Sequence, residues 1–339
     1  MQNPGFLHRS SRLRILPLLA MLVAVSTASL AQARDYTRIV VFGDSLSDTG
    51  NMAHLYQEKF GIRFPAPSVD YTDGRFTDGV DTLPAAQKYF GVWVEQFAAA
   101  MPSHPKVKNS LDGGTNYAYA FAFTGNGTSL FYPDDDVEFS VNVDNMGRQI
   151  SDYLATHPKI NNSTLFVIWG GANNLINATG PADIVNAAIQ ETLDIQRLIQ
   201  AGATQFLVLN LPPLGLTPRL NGSLATSVPA TTGAALFNSW LATGLSVLHD
   251  FTLGRHVRIF PVDTFSLFNK IVASPASFSF VNINASSRLN PAVDPDNYLF
   301  WDDIHPTTHG HNAVAAAALK AIGSPQCDVL GMPSCAAAH

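Results

Sequence analysis

Three residue types that can do covalent chemistry together lie far apart in this chain. Ser45 follows Gly43 and Asp44, directly after the apolar run Ile39-Val40-Val41-Phe42. A serine hydroxyl is a weak nucleophile; it needs a histidine to take its proton and an acid to orient that histidine. The stretch Asp302-Asp303-Ile304-His305-Pro306 carries both partners. At three positions' spacing, the Asp302 carboxylate can fold back onto the His305 ring across one turn, whereas Asp303 points elsewhere if the turn is regular. His309 and His311 are rival bases, but their position assigns them to the first turn of a following helix. Attack on a carbonyl also creates an oxyanion that requires aimed donors. The Ser45 N–H is one candidate. Asn173, after Gly170-Gly171-Ala172, is a second, although 170–174 also reads as an ordinary strand-to-helix turn. Asp44 and Ser45 have a competing use as helix caps.

Those residues need a scaffold that brings their loops to one place. Four apolar runs, 39–42, 164–169, 205–211 and 256–262, read as buried strands. Between them, 52–60, 91–100, 144–156, 181–202, 234–253 and 312–322 carry helical patterns, the clearest with Ile184, Val185, Ala188, Ile189, Leu193 and Leu198 on one face. Apolar strands alternating with amphipathic helices make an α/β protein with a central parallel sheet covered on both faces. Ligands then bind beyond the carboxyl ends of the strands, where Ser45, the 171–174 turn and Asp263 emerge. The segment 116–123 alternates small and aromatic residues and reads as a strand end entering a tight loop. Its Tyr119, Phe121 and Phe123 serve either an acyl pocket or the core. A long turn-rich segment, 64–79, is the kind of loop that carries function.

Composition narrows the class. Arg9, Arg12 and Arg14, an apolar stretch over 15–25 and Ala31-Gln32-Ala33 form the pattern of a signal peptide cleaved after residue 33. A secreted or periplasmic location follows, with 34–339 as one domain and no integral membrane segment. The whole chain has 20 Lys+Arg against 26 Asp+Glu, a formal charge of −6. Removing a leader that holds three arginines and no acid makes the remainder more acidic, which argues against nucleic acid as a partner. Cys327 and Cys335 read as a local disulfide in an exported chain. The acidic cluster over 134–138 lacks the loop signature of a calcium-binding hand and reads as solvated.

The ordered motifs identify a family resemblance. Gly43-Asp44-Ser45-Leu46 with Ser47-Asp48-Thr49-Gly50-Asn51, then Gly171-Ala172-Asn173, then Asp302-Asp303-Ile304-His305-Pro306, resemble the motifs of the GDSL esterases and lipases (SGNH hydrolases). Gly74-Arg75-Phe76-Thr77-Asp78-Gly79 and Val92-Trp93-Val94-Glu95-Gln96 are similar to the secreted lipase-like branch. The resemblance implies a three-layer, flavodoxin-like α/β/α fold and ester hydrolysis through an acyl-enzyme. It assigns Ser45 as nucleophile, His305 as base, Asp302 as orienting acid and Asn173 as oxyanion donor, with no metal or organic cofactor. The family's second motif ends in a glycine whose N–H completes the oxyanion hole. Here Ala120 stands in that place, and its N–H is expected to donate instead. Asn174 replaces a common aspartate and is expected to act behind the site, and residues 80–90 are expected to form a surface excursion. The implied substrates are lipid or short-chain carboxylic esters. Phospholipase, lysophospholipase or acyltransferase activity is the nearest alternative, then carbohydrate deacetylation, then a non-catalytic binding module.

Overall fold

The computed structural model describes Met1 and residues 35–66, 71–72, 74–79, 89–133, 137–161, 163–252, 256–288, 290 and 292–323. The expected signal peptide, the Cys327/Cys335 pair, Asp134 to Asp136 and residues 80–88 lie outside the described residues. In chain order the elements are β1 (Arg38–Gly43), α1 (Asn51–Phe60), α2 (Trp93–Ala99), β2 (Thr128–Phe131), β3 (Val141–Asp144) and α3 (Met146–Thr156). Then come β4 (Thr164–Trp169), α4 (Ala172–Ile176), α5 (Pro181–Gln200), β5 (Gln205–Leu209) and α6 (Leu224–Phe251). The last are β6 (Arg258–Val262), α7 (Thr264–Ala273), β7 (Asn282–Ser286), β8 (Tyr298–Phe300) and α8 (Thr308–Ala321).

The four apolar runs form one parallel sheet in the order β1-β4-β5-β6. Residues 115–119 run beside β1 as a further parallel segment. Val41 N–H donates to Thr115 O at 3.0 Å, and Tyr117 N–H donates to Val41 O at 2.8 Å. Counting that segment, the strand order is 2-1-3-4-5, that of a flavodoxin-like doubly wound sheet. Successive side chains of β1 point to opposite faces, as period-two geometry requires. Ile39 and Val41 join Trp93, Phe97, Val314 and Leu319, whereas Val40 and Phe42 join Met146, Ile150, Ile195 and Leu198. Both faces are therefore buried at β1, β4 and β5, the reason these three read as unbroken apolar runs, while the edge strand β6 is partly exposed.

Differences from the sequence reading have local causes. Helix α6 begins at Leu224 rather than 234 and contains Pro229 in its second turn. A proline inside a helix removes one backbone hydrogen bond, but tertiary packing holds the turn: Gly215 lies so close that a Cβ there would meet Ser227 O at 2.0 Å. Helix α8 starts four residues early because Thr307 Oγ1 accepts the Gly310 N–H at 3.0 Å as its cap. Helix α1 begins at Asn51, not at Asp44, so Ser45 does not sit on a helix N-terminus. The hairpin of β2 and β3, and the short pair β7 and β8, went unread because their strands are short and half-exposed.

Candidate active site

Strand β1 ends at Gly43, packed so tightly on β4 that a Cβ would meet Trp169 O at 2.4 Å. The next residues make a single turn, with Ser47 and Asp48 N–H both donating to Asp44 O at 3.0 Å. Asp48, not Asp44 or Ser45, caps α1: its carboxylate accepts the N–H groups of Gly50, Asn51 and Met52. Burial pushes the Asp48 carboxyl up to about 6, opposed by those donors. Burial likewise raises Asp44 to about 6, opposed by the Leu46 N–H on Oδ1. Ser45 is thereby left on a braced turn with its hydroxyl available.

From the other end of the chain, β8 leads into the loop that carries the acid and the histidine. Trp301 N–H donates to His305 O at 2.8 Å and Thr307 N–H to Leu299 O at 3.0 Å, closing the loop on itself. Inside it, Asp302 Oδ1 accepts the N–H groups of Ile304 at 2.8 Å and His305 at 2.7 Å. Asp302 Oδ2 accepts His305 Nδ1–H at 2.7 Å, and His305 Nε2 faces Ser45 Oγ at 2.8 Å. Burial would raise the Asp302 carboxyl, but the charge and hydrogen bonds of His305 and the Ile304 N–H outweigh it, holding the group well below the usual carboxylate range. An ionised Asp302 makes Nδ1 the donor and leaves the lone pair of Nε2 facing the Ser45 hydroxyl. Asp303 faces away, where Arg219 grips it with two hydrogen bonds of 2.8 and 2.9 Å.

The rival histidines stand elsewhere. His309 is sandwiched between Tyr89 and Phe280, with ring centroids 4.4 and 4.2 Å away. His311 is wholly buried in α8, and burial pushes its pKa down to about 3.

The expected oxyanion donors divide. The Ser45 N–H has no acceptor among the described residues. Asn173, in α4, lines the cavity and donates one amide hydrogen to Ala122 O at 3.1 Å, while the other has no acceptor among the described residues. Its turn depends on Gly171, where φ is 98° and a Cβ would meet the Phe237 ring at 2.6 Å. Asn174 Oδ1 accepts the Thr124 N–H at 3.0 Å and so anchors the facing loop. Ala120 departs from expectation: it is wholly buried, and its N–H donates to Asp48 Oδ2 at 2.9 Å. That N–H is therefore already engaged by a carboxylate. The next residue, Phe121, has φ 66°, lies in the cavity wall, and its N–H has no acceptor among the described residues.

Ser45, Asn173, Asp302 and His305 all border one cavity of about 520 Å³. Its walls are mostly apolar, with Leu46, Phe64, Phe76, Phe121, Phe131, Trp169 and Leu214 among them. Of the three aromatics considered for an acyl pocket, only Phe121 lines it; Tyr119 packs in the core. Sequence reasoning missed Tyr71, whose hydroxyl donates to Asp302 Oδ2 at 2.8 Å. The only hint was its place in the long turn-rich segment.

Comparison with known proteins bears on this geometry. The family model described as GDSL-like Lipase/Acylhydrolase matches residues 39–318, which include the serine, the asparagine and the acid–histidine loop. The chain belongs to this family. Among curated relatives, the thermolabile hemolysin of Vibrio parahaemolyticus is 27% identical, over 87% of this chain and 66% of its own. Lipase 1 of Photorhabdus luminescens is 24% identical over 90% of this chain and 53% of its own. The chain thus spans about two thirds and about half of the lengths of those two. The phosphatidylcholine-sterol acyltransferase of Aeromonas hydrophila is 24% identical over 89% of this chain and 95% of its own.

Proposed function

We propose that this enzyme cleaves carboxylic esters with apolar acyl groups through an acyl-enzyme on Ser45. The observation that carries the reading is the unbroken relay of 2.8 and 2.7 Å from Ser45 Oγ through His305 to Asp302, opening on an apolar cavity. His305 Nε2 takes the serine proton as Oγ attacks the carbonyl, and Asp302 stabilises the imidazolium. His305 then returns that proton to the leaving alcohol. Water repeats the sequence on the acyl-enzyme and releases the acid. The oxyanion is held by the Ser45 N–H and the free Asn173 amide hydrogen, and we assign a third donor to the Phe121 N–H in place of Ala120. A non-glycine residue in the left-handed region costs roughly 1–2 kcal/mol. Here the Phe121 ring, stacked on Phe131 at 3.5 Å, supports that backbone.

The test is a series of p-nitrophenyl esters from acetate to palmitate, with active-site labelling by a fluorophosphonate. Turnover rising from acetate towards medium chains, with labelling abolished in Ser45→Ala, is the expected result. No turnover and no labelling would leave a binding module with an idle triad. An acyltransferase reading is favoured by the full-length match to the Aeromonas enzyme; acyl transfer to an added long-chain alcohol in preference to water would establish it. The leader pattern supports export to the periplasm or medium, checked by an N-terminus at Arg34 in the exported protein.

A further inference from the structure

Asp302 Oδ2 accepts two hydrogen bonds, one from His305 Nδ1 and one from the Tyr71 hydroxyl at 2.8 Å. The second donor comes from 231 positions away in sequence, in a segment with no part in the serine–histidine–acid relay. That segment is fastened to the acid–histidine loop at several further points. Thr77 Oγ1 donates to Pro306 O at 3.0 Å, and Asp78 Oδ2 accepts the Thr308 hydroxyl at 3.1 Å. The Phe76 ring lies 5.1 Å from the His305 ring. Its own ends are closed by an antiparallel bridge between Tyr71 and Asp78. The Tyr71 ring is held edge-on against Trp301 at 6.0 Å, with the Arg288 guanidinium 4.9 Å over its face. With the Phe76 ring 6.3 Å away as well, the hydroxyl is aimed by packing on three sides.

We propose that Tyr71 is a positioning residue for the reaction: its hydroxyl fixes the Asp302 carboxylate and moderates how strongly that carboxylate holds a proton on His305. This rests on the serine-hydrolase reading of the site. A donor on Oδ2 withdraws negative charge from the oxygen that faces the imidazole. With it, the imidazolium is favoured less, and the base is free to accept the serine proton at lower pH. Without it, the carboxylate is more basic and less tethered. The hydroxyl stays a donor throughout the working range, because burial and the Asp302 charge both push Tyr71 upward. The other ionisable groups around the pair are Asp44 on the nucleophile turn, Asp303 with its Arg219, Arg288 over the tyrosine, Asp78 at the foot of α8, and His311 within it. None of them donates to Oδ2 among the described residues.

Tyr71→Phe removes only the oxygen. In the pH profile of kcat/KM for a p-nitrophenyl ester, the acid limb should move up by about half a unit to one unit. The kcat should fall about tenfold with KM within twofold, and the thermal midpoint should stay within a few degrees. A merely structural tyrosine would alter the midpoint and leave the limb in place. Fluorotyrosine at position 71, a stronger donor with the same packing, should move the limb the opposite way, which covers the case of a poorly folded phenylalanine variant. NMR titration of the His305 ring in the Ser45→Ala protein, with and without Tyr71→Phe, reads the same displacement without turnover. The esterase reading can therefore fail separately. An acid limb and a ring titration both unmoved by either change would overturn the proposal.

Discussion

Replacing Asp302 by asparagine is the sharpest probe of the site, because the surrounding hydrogen bonds dictate how the amide must sit. Oδ1 accepts two backbone N–H groups, from Ile304 and His305, so only the amide oxygen can occupy that place. The amide NH₂ then falls at the Oδ2 position, facing His305 Nδ1. It donates there, which forces the imidazole proton onto Nε2, the nitrogen 2.8 Å from Ser45 Oγ. A protonated Nε2 cannot accept the serine proton. The Tyr71 hydroxyl would reinforce this rotamer only by reversing its role, since it can no longer donate to that position. Wrong-tautomer asparagine variants of such triads lose about 10⁴ in kcat, equivalent to about 5 kcal/mol of transition-state stabilisation. Geometry and volume are unchanged, so KM should stay within about threefold. The assay is steady-state hydrolysis of p-nitrophenyl butyrate at pH 7.5, with the thermal midpoint confirming the fold. A loss below tenfold would refute the reasoning and remove Asp302 from its assigned role.

The neighbouring Asp303→Asn should keep kcat within about threefold, since that carboxylate pairs with Arg219 at a half-exposed surface where ion pairs contribute little; a loss comparable to that of Asp302→Asn would exchange the two roles. Asn173→Ala should lower kcat on the order of a hundredfold with little change in KM, the scale of one oxyanion donor; an unchanged kcat would reassign the residue to the turn alone. Asp44 supplies a pH-dependent stability. Its folded pKa, raised by burial to about 6, lies above the unfolded value. The resulting stabilisation is full below about pH 3.9 and is lost as pH rises through about 6, at most about 3 kcal/mol in all. Asp44→Asn should therefore flatten the fall in thermal midpoint between pH 4 and pH 7.5 by about 5 °C; parallel curves for parent and variant would show that Asp44 is ionised throughout.

Some of this protein was legible in sequence for reasons that are local. The strands β1, β4 and β5 announce themselves because both faces of the sheet are buried there, so nearly every position is apolar, whereas the edge strand β6 keeps Arg258 and Pro261 exposed. The Asp302–His305 pair is legible because three residues span one turn, and Asp302 binds the His305 backbone as well as its ring. Helix α1 stops where expected because Gly61 adopts the left-handed conformation, φ 71°, that the C-cap needs.

What stayed illegible depends on contacts between distant residues. Ser45 meets His305 across 260 positions, and no periodicity encodes that distance. Motif order made the meeting credible; only the tertiary fold, which brings the loop after β8, outside the central sheet, to the carboxyl end of β1, makes it a 2.8 Å contact. Ala120 shows the converse. Its place in the motif pointed to an oxyanion donor, but the tertiary fold brings it to Asp48, which takes the N–H for the cap of α1. Tyr71 left no motif at all, because a single buried hydroxyl carries no spacing signal, and its 2.8 Å bond to Asp302 exists only once the turn-rich segment packs on the acid–histidine loop. Sequence thus determined which residues can react. The fold decided which backbone donors are free to help them, because each N–H can be spent only where packing places an acceptor.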